Sequence, residues 1–143
     1  MKYSDIYRLY STSQPKDAIH QALREVPVDD SDEQYEDRSP LHLACQYGDA
    51  EGVKILLERD AEPNTKDANG STPIHILGRT SADRADEDKL KEIAVMLMEH
   101  GANIPRSAKN TTALIECVRN RHFKMAEAII NSGARVNSTD LNG

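Results

Sequence analysis

SPLHLACQYGDAEGVKILLERDAEPNTKDANG, residues 39–70, is the stretch around which the chain is built. Its opening returns directly afterwards as STPIHIL from Ser71. Pro40 and Pro73 are 33 residues apart, and so are His42 and His75. A fixed period of this length marks a stack of similar units, each a helix–turn–helix with a projecting connection. Within the first unit, Ser39 suits an N-cap and Pro40 the first helical position. Leu41, Ala44 and Cys45 are spaced to point inward, and Gly48 suits a tight turn in the left-handed region. A second helix over about 50–59 then buries Val53, Leu56 and Leu57. Asn69-Gly70 is a strong turn signal.

The residues Ser39-Pro40-Leu41-His42-Leu43-Ala44, Gly48, Val53, Ile55-Leu56-Leu57, Asn64, Asp67 and Gly70 carry a resemblance to the ankyrin repeat family. It implies an all-α solenoid of stacked helix–turn–helix units with projecting β-hairpin loops. It also implies that His42 and His75 are structural, their rings bonding backbone groups of neighbouring hairpins. Two departures bear on the caps: Asp60 stands where the family has glycine, and Pro63 where it has valine. Asp tolerates the left-handed region better than most residues.

Worked outward, the period divides the chain. Residues 1–38 read as a degenerate N-terminal cap, with helices over 4–11 and 15–25. Ser4 or Asp5 is the expected first cap, and Pro15 suits the first turn of the second helix. The connection from Val26 to Arg38 is strongly acidic. It is either a solvated tip or a docking surface for a basic partner with Tyr35 as its apolar anchor. Residues 71–103 form a repeat whose excess length lies in 78–88, expected as an enlarged loop between its two helices, the second over about 89–99. Residues 104–136 form a divergent repeat. Thr112-Ala113-Leu114-Ile115 replaces the Thr-Pro-Leu-His string there, and Arg121 replaces the inter-helix glycine. Residues 137–143 resemble the start of a further repeat, which leads us to expect that the parent protein continues.

Composition narrows the function. The 143 residues carry 24 acidic and 18 basic side chains, a net charge of −6, with one Phe and no Trp. That balance disfavours a nucleic-acid backbone as partner. No segment is apolar enough for a signal peptide or a membrane span. Cys45 and Cys117 read as free buried thiols, and the chain as an intracellular, monomeric protein.

Candidate chemistry is sparse. His42 and Cys45 lie three apart, but no second pair completes a zinc site, since Cys117 stands only with His122. Asp86, Glu87 and Asp88 are contiguous and lack calcium-loop spacing. There is no phosphate-binding glycine loop or nucleophile elbow. The Asn-X-Ser/Thr triplets at Asn69, Asn110 and Asn137 read as incidental without a secretory signal. We therefore expect no enzyme activity, no cofactor and no metal. A non-catalytic protein–protein interaction module is the expected function. The alternative is the substrate-targeting arm of a larger enzyme or effector. By the resemblance, the exposed variable positions are Tyr35, Glu36, Arg38, Gln46, Tyr47, Ala68, Asn69, Ser71, Arg79, Thr80, Lys109, Thr111, Arg119 and Asn120. Tyr47, Arg79 and Arg119 are the candidate hot spots among them.

Overall fold

A computed structural model describes residues 2–80, 85–103 and 113–131. The readings made above for Lys109, Asn110, Thr111, Thr112 and residues 137–143 lie outside these residues. Among the described residues eight α-helices run in sequence: α1 Tyr3–Ser11, α2 Lys16–Glu25, α3 Pro40–Gln46, α4 Ala50–Glu58, α5 Pro73–Gly78, α6 Glu87–Glu99, α7 Ala113–Arg119 and α8 Phe123–Asn131. A 3-10 turn, Glu33–Tyr35, sits in the acidic connection. The described residues contain no strand.

The helices stack in two rows. In one, α1 packs on α3, α3 on α5 and α5 on α7; in the other, α2 packs on α4, α4 on α6 and α6 on α8. Leu41 and Ile74 are fully buried at matching places in the first row, and Leu114 packs against the same core. The rows exist because the helices are short. α3, α5 and α7 have seven, six and seven residues, and isolated helices below about 12–15 residues are marginal in water. Neighbours must therefore supply the stability. Accordingly α3 is buried on every side, Pro40 through Cys45 alike, as expected of a helix enclosed by others.

Turn chemistry follows the sequence closely. Gly48 and Gly70 lie at φ 62° and 76°. Asp60 and Arg121, where the resemblance leads one to expect glycine, adopt φ 66° and 63°. Local capping differs in two places. The α1 cap is Lys2, whose N–H donates to Asp5 Oδ2 at 2.9 Å, so Asp5 acts from inside the first turn. Pro15 stands one residue before α2 as its N-cap rather than within it. Part of the 78–88 connection, residues 81–84, lies outside the described residues, and helices flank it on both sides. Gly78 closes α5. Asp86 Oδ1 accepts the Lys89 N–H at 2.8 Å, which starts α6 at Glu87.

The N-terminal helix pair is fastened by Asp49, the N-cap of α4. Its carboxylate is nearly inaccessible, accepting the Tyr10 hydroxyl at 2.7 Å and the Gly52 N–H at 3.1 Å. His20 Nε2 lies 3.0 Å from both oxygens, and Lys16 Nζ 3.9 Å away. Burial pushes the Asp49 pKa up, but these donors and the Lys16 charge outweigh it and hold the carboxyl below its ordinary value. Gly52 leaves the necessary room, since a Cβ there would meet Asp49 Oδ2 at 2.7 Å and the Tyr10 oxygen at 2.8 Å.

His42 ties one unit to the next. Its Nδ1 accepts the Ser39 N–H at 3.1 Å, leaving Nε2–H to donate to the Ser71 carbonyl at 2.7 Å. Burial is the largest influence on this ring and lowers its pKa to about 4, against a smaller opposing effect of the Ser71 bond and Asp67. An unfolded histidine titrates near 6.5. Between these values the unfolded chain takes up the proton that the folded chain refuses. Stability is thus complete above pH 6.5 and falls by roughly 3 kcal/mol as pH drops to about 4. Denaturant titrations across this range should show that slope, and His42→Gln should flatten it. Arg121→Gly should raise stability by about 1 kcal/mol, because glycine carries no side-chain penalty at positive φ. Thermal denaturation reads this directly.

Candidate functional site

The first helix row and the connections beside it carry Tyr35, Glu36, Arg38, Gln46, Arg79, Arg119 and Asn120 of the expected contact residues. The acidic connection and the loop after α4 lie side by side, since the Ala68 N–H donates to the Glu36 carbonyl at 2.7 Å. Asp67 organises the second loop: its buried carboxylate accepts the N–H groups of Asn69 and Ser71, both at 2.9 Å. Arg38 crosses between them. Its Nε donates to Asp67 Oδ2 at 3.3 Å, one terminal nitrogen to Gln46 Oε1 at 2.9 Å, and the other lies 3.1 Å from Glu36 Oε2. Tyr35 is half-buried, its ring 4.5 Å from that of Tyr7 and 5.7 Å from that of Tyr3.

A second group forms around Glu116 on α7. This carboxylate is buried and held between Arg79 Nε at 3.1 Å and an Arg119 terminal nitrogen at 3.3 Å. Asn120 donates to the Gly78 carbonyl at 3.1 Å, binding the end of α7 to the end of α5. Gln46, Arg79 and Arg119 stand at matching positions at the ends of α3, α5 and α7. Arg119 is well exposed, while Gln46 and Arg79 are half-buried.

Other expected contact residues lie elsewhere. Ser71 and Thr80 are buried, at 1% and 4% exposure, so neither presents a surface. Ser71 is enclosed as the acceptor of the His42 bond, and Thr80 Oγ1 donates to the Cys45 carbonyl at 2.9 Å. Tyr47 stacks on Tyr10 at 4.9 Å between ring centres and is half-buried, so it contributes to packing as well as to the surface. Ala68 is exposed and Asn69 half-buried.

Sequence reasoning missed several polar ties. His122 is buried and its Nε2 lies 2.7 Å from the Thr80 carbonyl. Glu116 stands where α3 and α5 have Leu43 and Ile76; a charge in an apolar register was the available signal. The acidic run before and into α6 also has a structural role. Glu87 Oε1 accepts the N–H groups of Phe123 and Lys124 at 3.0 and 3.2 Å, capping α8 from the preceding unit. Asp88 pairs with Lys124 at 2.8 Å.

No three His, Cys, Asp or Glu side chains among the described residues are grouped to hold a metal. Cys45 and Cys117 are free and buried. Burial raises both thiols, that of Cys117 to about 12 with Glu116 adding to the effect, so neither is a ready nucleophile. No described helix is long and apolar enough to cross a membrane.

Comparison with known proteins agrees with this architecture. The family described as "Ankyrin repeats (many copies)" matches residues 22–77, and "Ankyrin repeat" matches residues 109–141. The chain belongs to the ankyrin repeat family, whose repeats are generally protein-interaction modules. It is 39% identical to the transient receptor potential cation channel subfamily A member 1 homolog of Caenorhabditis elegans over 43% of the chain. It is 29% identical to the ankyrin repeat protein nuc-2 of Neurospora crassa over 85% of the chain. Identity to neurogenic locus notch homolog protein 1 of Xenopus tropicalis is 35% over 70% of the chain. The matched regions span only 5%, 10% and 4% of these relatives.

Glu87→Ala should cost about 1 kcal/mol, the usual value of a lost helix cap, and selectively loosen α8. Hydrogen exchange of the Phe123 and Lys124 amides would report it, with the exposed Glu92→Ala as control.

Proposed function

We infer that this chain is a non-catalytic module that binds a partner protein through the face formed by the first helix row and the adjoining connections. The observation that carries this reading is the row Gln46, Arg79 and Arg119. Its arginines are already oriented by Glu116, so binding need not immobilise them from a free state. Arginine and tyrosine supply a disproportionate share of interface energy. Charge is divided along the face. Glu36 and its acidic neighbours stand at the N-terminal end, and Arg79 and Arg119 at the other. A partner presenting basic groups to the first and acidic groups to the second would be recognised in one orientation.

The size of the relatives supports a second reading. Since matched regions span 4–10% of those proteins, these repeats would act as the recognition arm of a longer protein, selecting what another region acts on.

The test is quantitative capture from an extract of the source organism, comparing wild type with Arg119→Ala, which leaves Glu116 its Arg79 partner. A genuine partner should bind the variant more weakly by more than about 1 kcal/mol, with little change in melting temperature because Arg79 still pairs with Glu116. Equal capture by both proteins would overturn the assignment to this face.

A further inference from the structure

We propose that the tyrosine-lined cavity between α1, the 3-10 turn and α3 receives an arginine side chain from a protein partner. The proposal rests on the reading that this face binds protein, and it specifies what one end of the face takes. The cavity holds about 230 Å³, below the roughly 300–1,000 Å³ of small-molecule sites, and is scaled to a single long side chain. Tyr3, Tyr7 and Tyr35 line it together with Glu36 and Arg38. Tyr3 is fully buried and supplies the floor; Tyr7 and Tyr35 are half-buried.

Two features select a cation. Aromatic faces attract cations through the ring quadrupole, and a planar guanidinium adds stacking. The one lining cation, Arg38, is already committed. Its three guanidinium nitrogens face Asp67, Gln46 and Glu36, so each already has a protein partner. Two carboxylates against one guanidinium leave a net negative charge. Asp32, Glu33 and Asp37, the neighbours of this wall in sequence, add to it. Glu36, with its side chain 55% exposed, offers the incoming group a carboxylate acceptor.

The experiment is an NMR titration of the 143-residue chain with acetyl-Gly-Arg-Gly-amide, its citrulline counterpart and acetyl-Gly-Glu-Gly-amide. Citrulline keeps the shape of arginine and removes the charge. The arginine peptide should shift the ring resonances of Tyr7 and Tyr35 saturably, binding at least about fivefold tighter than citrulline. Glu36→Gln and Tyr7→Leu should each weaken it about threefold or more, with amide spectra showing that both variants remain folded. Equal binding of citrulline or of the glutamate peptide would overturn the proposal, as would an arginine response indifferent to both substitutions. These failures are distinct from failure of the face itself. A partner lost on Arg119→Ala but unaffected by Glu36→Gln would leave the face standing and remove the cavity from it.

Discussion

A helix of six or seven residues has too few internal hydrogen bonds to offset the entropy of forming it. Each unit after the N-terminal helix pair contains one such helix, α3, α5 or α7; α3 and α5 are held by row neighbours on both sides, α7 by α5, and each by the longer helix behind it. Stability therefore accumulates from contacts between adjacent units, the behaviour of a quasi-one-dimensional stack. Leu41, Leu56, Ile74, Leu77, Leu90, Ile93 and Leu97 are inaccessible to solvent for this reason.

Apolar stacking alone does not fix register, and polar ties between units supply it. His42 donates to the Ser71 carbonyl, Thr80 to the Cys45 carbonyl and Asn120 to the Gly78 carbonyl. The last two come from matching positions and reach matching carbonyls of the preceding unit, although histidine, threonine and asparagine share little as side chains. In these two what recurs is the geometry, a backbone acceptor at the C-terminal end of a helix, whereas the Ser71 carbonyl lies in the loop before α5 and also accepts the Asp67 N–H. Arg59 does the same on the outer row, donating to the Leu23 and Val26 carbonyls at 2.6 and 2.7 Å.

The charged groups of the candidate face follow from this framework. Asp67 and Glu116 are buried because they lie where units meet, and each draws an arginine, Arg38 and Arg79, into a fixed position. Leaving such a carboxylate unpaired would be costly, so the arginines serve the fold as well as the surface role proposed for them. One set of interactions thus both orders the loops and prepares the surface.

The stacked helical architecture and the turns at Gly48, Gly70 and Asp60 were legible in the chain because each depends on local residue type and a fixed period. The division of the acidic residues was not. Asp49, Glu87 and Glu116 look alike as letters, yet one anchors the first helix pair, one caps a helix in the next unit and one joins two arginines. Nor did position in the repeat reveal that Ser71 and Thr80 are enclosed, since their covering comes from adjoining parts of the fold. The sequence by itself determined the repeat, its helices and its turns, which arise from interactions a few residues apart. The tertiary structure alone decided which polar side chains are buried and paired, because those partners lie 29 to 42 residues away along the chain and meet only when the units stack.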